Sequence, residues 1–296
     1  MVVLLKGSNK DLPVAVWFIL PSFIGFAIFT GIPILVALVL SFYDWNLLNT
    51  PKFVGFENYD TLFRSDPIFM KVLWNTLYFV LGSVPLSIII ALFIAVLLNQ
   101  KLKAIAFLRA GYFLPVISSI VAASLVWKWI FNPDFGIIND FLRMIGISNP
   151  PKWITSTAWA MPSIIIVAIW KNLGYNMVIF LAGLQDIPKD LYEAGEIDGA
   201  NKRQLFWHIT LPLLRPTTFF ITIISIIGSF QVFGQALVMT EGGPGISTNT
   251  IVFYIYQNAF VFFKMGYASA SAWVLFFIVL FFTAIQSKIG KRRGAL

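Results

Sequence analysis

The sequence predicts an all-α membrane protein with six transmembrane helices. Of 296 residues, 58% are apolar and only 11% charged, where a soluble chain carries about a quarter charged. The mean hydropathy is +0.83. Six apolar runs each reach the ~20 residues a helix needs to cross the hydrocarbon core. They extend from Pro13 to Phe42, Val72 to Leu98, Ala104 to Phe131, Ala158 to Leu184, Leu213 to Val238 and Tyr267 to Ile285. Lys6 and Lys10 before the first run could open a secretory signal, but that run is nearly twice a signal core, so a retained span is favoured. Without cysteine, disulfide scaffolds, thiolate metal sites and cysteine nucleophiles are excluded.

The net charge of +8 reads as topology rather than as a nucleic-acid surface, because the cations are scattered between apolar runs. With the N-terminus inside, Lys6, Lys10, Lys101, Lys103, Arg109, Lys189, Lys202, Arg203, Arg215, Lys288, Lys291, Arg292 and Arg293 all fall in the cytoplasm. Lysine and arginine near span ends resist translocation, so both termini are placed there. The outer connections, Tyr43 to Lys71 and Asn132 to Thr157, hold Pro51, Pro67, Pro133, Pro150 and Pro151 among aromatics; short interfacial helices and turns are expected, with packing favoured over ligand contact. Glu241-Gly242-Gly243-Pro244-Gly245 is a turn signal, followed from Ser247 to Val261 by a short amphipathic or extended segment.

The segment from Gln185 to Leu211 is a polar island between the fourth and fifth runs. Asp190 is expected to cap a short helix carrying Glu193 and Glu196 early, and Gly199 to end it in the left-handed conformation. Asn201 followed by Gln204 predicts a capping box for a second short helix, with Leu205, Phe206 and Ile209 on one side. Pro212 and Pro216 suit the opening turn of the fifth span. Such a pair either lies on the lipid surface or docks into a cytoplasmic partner.

Leu191-Tyr192-Glu193-Ala194-Gly195-Glu196-Ile197-Asp198-Gly199-Ala200, with Phe206, Ile209, Leu211-Pro212 and Pro216, closely resembles the cytoplasmic loop of binding-protein-dependent ABC importer permeases. Its one departure is Gly195, where that family usually has alanine; a glycine there should loosen the helix slightly. Trp170 to Met177, Leu184-Gln185-Asp186-Ile187-Pro188 and Gly242-Gly243-Pro244 look like the sugar-permease branch that includes maltose and glycerol-3-phosphate permeases. The resemblance implies a type I importer permease fold, residues 1–296 forming one permease domain with a coupling loop at 185–211. It implies that Glu193, Ala194, Gly195, Asp198, Gly199, Ala200 and Phe206 meet an ATPase subunit. It also implies a second related permease, two ABC ATPase subunits holding ATP-Mg, an extracytoplasmic solute-binding protein and a bacterial or archaeal inner membrane, with no cofactor bound by this chain.

No phosphate-cradling GxxxxGK[ST] motif is present, the one Gly-Lys pair being Gly290-Lys291. His208 is the only histidine, which leaves no histidine cluster for a metal, and packing or interfacial hydrogen bonding is favoured over catalysis there. Glu193 and Glu196 read as a solvated helix face rather than an acid/base couple. No catalytic site is expected, so an intramembrane enzyme ranks third, behind a stand-alone secondary transporter or channel in which Lys171 would be the ion-coupled group.

Polar groups at mid-membrane face a cavity or another helix. Lys171, Asn172, Gly174, Tyr175 and Asn176 lie halfway along the fourth run, where a kinked or unwound segment lining a wet passage is expected; the alternative is helix packing with Lys171 on a carbonyl or a partner. Thr222, Ser225, Gly228, Ser229 and Gln231 form a polar stripe on the fifth run, and Ser118, Ser119 and Ser124 are weaker candidates on the third, small polar residues more often serving helix packing. Sugar recognition combines an aromatic face with amides and hydroxyls, which singles out Asn172, Tyr175, Ser225 and Gln231 as substrate-facing.

Overall fold

The computed structural model describes residues 11–100 and 104–292, which leaves Lys6, Lys10, Lys101, Lys103 and Arg293 outside the described residues. Among the described residues, four helices are long and apolar enough to cross a membrane: α1 (Val16–Leu40), α2 (Pro67–Leu98), α6 (Ala160–Gln185) and α11 (Met265–Gly290). Two bent pairs raise the number to six if each counts as one span. These are α3 (Ile105–Ile117) with α4 (Ile120–Ile130), bent by 100°, and α8 (Lys202–Leu213) with α9 (Arg215–Phe230), bent by 61°. Between them lie α5 (Ile137–Met144), α7 (Lys189–Ile197) and α10 (Ile251–Val261).

Three expectations about the spans are corrected. The third run is not one straight helix. Pro115 cannot donate a backbone hydrogen bond, and Ser118 and Ser119 turn extended, so the axis breaks there. The fourth run is not unwound at its polar cluster, because α6 is continuous from Ala160 to Gln185. The fifth run ends early: its helix stops at Phe230, and Ala236–Thr240 forms a separate helical turn.

α2 and α6 pack along their length and form the spine. Near one end Phe79, Met161, Ile164 and Val167 bury Val232, Ala236 and Met239 between them. Near the other, Ala91, Ala95, Met177, Phe180 and Leu184 bury Leu214 and Ile221, with Tyr192 and Ile209 packed against them. Close crossings use glycine. A Cβ at Gly174 would lie 2.1 Å from the Tyr112 carbonyl oxygen of α3, and one at Gly183 would meet the Thr217 hydroxyl at 2.5 Å. In contrast, the span window of α1 has no buried residue, and Trp17 and Phe29 are 74% and 81% exposed, as a lipid-facing helix requires.

The segment after α1 contains a feature the sequence reading did not anticipate, a two-residue antiparallel pairing of β1 (Tyr43–Asp44) with β2 (Lys52–Phe53). The rest matches the expected turns and short helices. Asn139 of α5 donates to the carbonyls of Pro133 and Pro151 and accepts from the Trp153 indole, which is the packing role favoured for this segment. Glu241, Gly242 and Gly245 take positive φ in the expected turn. Asn75 of α2 holds the segment after it through the carbonyls of Ile246 and Asn249.

Asp66 caps α2 by accepting from the amides of Ile68 and Phe69. Its other oxygen accepts from the Tyr267 hydroxyl at 2.6 Å and from the Tyr254 hydroxyl, joining the start of α2 to α10 and α11. Partial burial pushes the carboxyl up, but the two hydroxyls and two amides outweigh it and hold Asp66 below its ordinary value of 3.8. The stabilisation is therefore present in full above pH 3.8 and lost as pH falls through the lowered native value. Asp66→Ala removes the cap and both tyrosine bonds and should cost about 2–4 kcal/mol, read as a lower apparent Tm in detergent at pH 7. An unchanged Tm would contradict this role.

Candidate functional site

Two places combine unusual chemistry with a defined frame. The first is a cavity of about 400 Å³ between α2, α6 and α9, also lined by Ile120 at the start of α4 and by residues 231–235 just past the end of α9. All four residues singled out as substrate-facing, Asn172, Tyr175, Ser225 and Gln231, line it. Asn172 and Tyr175 project from successive positions of one face of α6, and Asn172 donates back to the Ala168 carbonyl at 3.0 Å. Tyr175 is 41% exposed, its ring bordering the open space. Ser225 stands on α9, and Gln231 is the residue at which α9 ends.

Lys171 lies on the same wall, and its ammonium nitrogen donates to the carbonyls of Pro115 (2.6 Å), Val116 (2.9 Å) and Ser118 (2.8 Å). These carbonyls lie at the break between α3 and α4, where a helix end lacks amide partners; that of Pro115 also accepts from the Ser118 amide and hydroxyl. Of the two readings open for this lysine, the carbonyl-bound one is observed. It is a built-in cap for a broken helix rather than a free ion-coupling group.

The polar stripe on the fifth run divides. Ser225, Gly228, Ser229 and Gln231 line the cavity, whereas Thr222 faces away and bonds the Thr218 carbonyl at 2.6 Å. Of the third-run serines, Ser118 bonds the Pro115 carbonyl at the break and Ser124 is fully buried beside Ala123. The sequence reading missed Ser83 and Ser87 of α2, two cavity residues one helical turn apart, and Gln235. Ser87 accepts from Asn176 at 3.0 Å, and Ser83 lies 3.4 Å from Ser229. Their i, i+4 spacing in an otherwise apolar run was the available signal.

The second place is the knob made by α7 and the start of α8. Asp190 does not cap α7; the helix begins at Lys189 behind Pro188, with Asp190 inside the first turn, where its charge still favours the positive helix end. Gly199 has φ of +83°, the left-handed conformation expected of it. Asn201 and Gln204 form the capping box in both directions, at 2.9 and 2.8 Å. Gly195 does more than loosen the helix. A Cβ there would come within 2.6 Å of Leu205 and 3.3 Å of Ile209, so glycine lets α7 lie tight on α8. Tyr192 ties the two helices through the Thr210 hydroxyl at 2.9 Å.

The resulting surface exposes Glu193, Ala194, Asp198 and Gly199, with Gly195, Ala200 and Phe206 half-buried beside them. Gly195, Asp198, Gly199 and Ala200 border a depression of about 320 Å³, shared with Gln204 and His208. Ile197 stands out at 86% exposed, an apolar side chain between Glu196 and Asp198 that the sequence reading did not single out. His208 bonds the Gln204 carbonyl at 3.0 Å, in keeping with a hydrogen-bonding role.

Residues 12–294 match the family model described as the binding-protein-dependent transport system inner membrane component. The probable ABC transporter permease protein YesP of Bacillus subtilis (strain 168) is 40% identical over 96% of this chain and 92% of its own length. The lactose transport system permease protein LacF of Rhizobium radiobacter is 38% identical over 93% of each. Among solved structures, a chain of a bacterial alginate ABC transporter, in complex with alginate pentasaccharide-bound periplasmic protein, superposes with a TM-score of 0.82 over 96% of both chains at 25% identity. With a family model spanning nearly its whole length and relatives of this similarity, the chain belongs to the inner membrane components of binding-protein-dependent transport systems.

Proposed function

We propose that this chain is one transmembrane half of an ATP-driven importer for a sugar, oligosaccharide or related polyol. In this reading it forms a single permease domain of six spans with both termini in the cytoplasm. The 185–211 loop meets an ATPase subunit, a related permease completes the pathway, and an extracytoplasmic binding protein delivers the cargo. The observation that carries the reading is the 400 Å³ cavity whose wall combines the Tyr175 ring with the amides and hydroxyls of Asn172, Ser225 and Gln231. Those groups match a sugar, whose C–H faces stack on aromatics and whose hydroxyls need neutral partners. Carbohydrate cargo is also supported by relatives named for lactose and for arabinooligosaccharides, the latter from Bacillus subtilis (strain 168) and 35% identical over 92% of this chain.

The cytoplasmic loop contributes a rigid knob. Because Gly195, Tyr192 and the capping box fix it to α8, and α8 continues into α9, a push on the knob is passed to a helix that lines the cavity. Such a connection suits rigid-body alternating access. ATP-Mg belongs on the ATPase subunits.

The test is uptake by the reconstituted complex. Asn172→Ala and Tyr175→Ala should each lower ATP-dependent uptake about tenfold or more while leaving assembly with the ATPase intact, since the loss of one or two polar or stacking contacts costs about 1.5–3 kcal/mol. Full uptake by both assembled variants would remove these residues from the pathway.

A further inference from the structure

We propose that this chain's share of the cavity takes an uncharged, hydroxyl-rich ligand, because its one charged wall residue, Lys171, is already committed to the broken helix beside it. The inference rests on the transport reading above and narrows its cargo class. Among the described residues lining the cavity, Lys171 is the single ionisable group of fixed charge and no carboxylate is present. An ammonium has three protons. All three are placed, on the carbonyls of Pro115, Val116 and Ser118 at 2.6–2.9 Å.

The charge is matched as well as the hydrogen bonds. The 13-residue helix Ile105–Ile117 ends at these carbonyls. A helix C-terminus carries about half a negative elementary charge, concentrated on its last carbonyls. An acidic sugar could recruit Lys171 only by stripping it from those carbonyls; Pro115 would keep the Ser118 amide and hydroxyl, but the Val116 and Ser118 carbonyls would lose their lysine donor at the break. A cationic ligand would meet the lysine without any carboxylate to offset it. What remains for recognition is neutral: the amides of Asn172, Gln231 and Gln235, the hydroxyl of Ser225 and the ring and hydroxyl of Tyr175. The relatives' names divide on this property, lactose and arabinooligosaccharides being uncharged while sulfoquinovosyl glycerol carries a sulfonate and alginate is acidic, so similarity alone does not decide the charge of the cargo.

The chain has no cysteine, so a single introduced thiol, followed by the mass of this chain after the subunits are separated, can report the potential inside the cavity. Ser225→Cys, and independently Gln231→Cys, are made in the full complex, and each is reacted with three methanethiosulfonates: the neutral methyl, the anionic sulfonatoethyl and the cationic trimethylammonioethyl reagents. The anionic-to-cationic rate ratio is compared with that of 2-mercaptoethanol in the same buffer. An uncompensated ammonium in so confined a space would favour the anionic reagent by about a hundredfold or more. The expected result is a ratio within tenfold of the free thiol at both positions. A ratio displaced beyond tenfold in either direction overturns the uncharged-ligand inference and leaves the transport reading standing. If even the neutral reagent fails to react at both positions, with and without ATP and the binding protein, the cavity is closed to water in every state, and the transport reading fails together with the inference.

Discussion

Gly174→Ala should nearly abolish folded protein in the membrane, although it adds one methyl group in the interior of a continuous helix. The new Cβ would lie 2.1 Å from the Tyr112 carbonyl oxygen and under 3 Å from the Tyr112 carbonyl carbon and the Phe113 Cα. All three are backbone atoms, so no side chain can swing aside and α3 must move away from α6. Inserting one methylene into a packed core already costs about 1–3 kcal/mol, and backbone displacement raises that. We expect a loss of at least about 3 kcal/mol, seen as collapse of the monodisperse peak in detergent chromatography. Gly111 provides the control within α3. A Cβ there meets nothing within 4 Å, so Gly111→Ala should be neutral, or stabilising by up to about 1 kcal/mol. Wild-type yield from Gly174→Ala would mean that α3 and α6 do not cross as closely as described.

Gly199→Val is expected to spare the membrane-embedded body and sever its coupling to the ATPase. Gly199 sits at φ +83°, where a side chain costs about 1–2 kcal/mol and a β-branched one more. The residue is exposed at the corner of the knob, so the strain is relieved by local rearrangement of the docking surface rather than by unfolding. ATPase recovered with the variant should fall by more than tenfold. Asparagine tolerates this conformation, and Gly199→Asn should keep most of the binding. Equal recovery with valine and asparagine would detach the corner's backbone from docking.

Much of this was legible because the bilayer imposes a simple rule. Runs of ~20 apolar residues had to become helices, and α1, α2, α6 and α11 did. Local turn chemistry was equally readable: Gly199, the Asn201–Gln204 box and the Glu241–Gly245 turn depend on neighbours in sequence. The breaks at Ser118–Ser119 and Gln231 were not, since groups remote in sequence bond the backbone at each; just past the second, Thr250 donates to the Val232 carbonyl at 2.9 Å. Lys171 satisfies the carbonyls that the first break frees, 53 to 56 residues away. The same holds for Gly174 and Gly195, whose reason is another helix's backbone or side chains rather than their own propensity. The four cavity residues were found because polarity in an apolar run is conspicuous, whereas Ser83 and Ser87 escaped because small hydroxyls are common packing groups in membrane helices.

In the proposed importer the 185–211 loop is a knob that docks into an ATPase subunit and not a surface feature resting on lipid. Ile197, exposed at the tip and flanked by Glu196 and Asp198, is the place to ask. A single cysteine at that position, treated in native membranes with a short bifunctional maleimide, gives products that mass spectrometry can identify. The account predicts a crosslink to an ABC ATPase subunit, lost in Gly199→Val. A cysteine that is readily alkylated by a water-soluble maleimide yet joins no ATPase, in membranes that still take up solute without ATP, would contradict it.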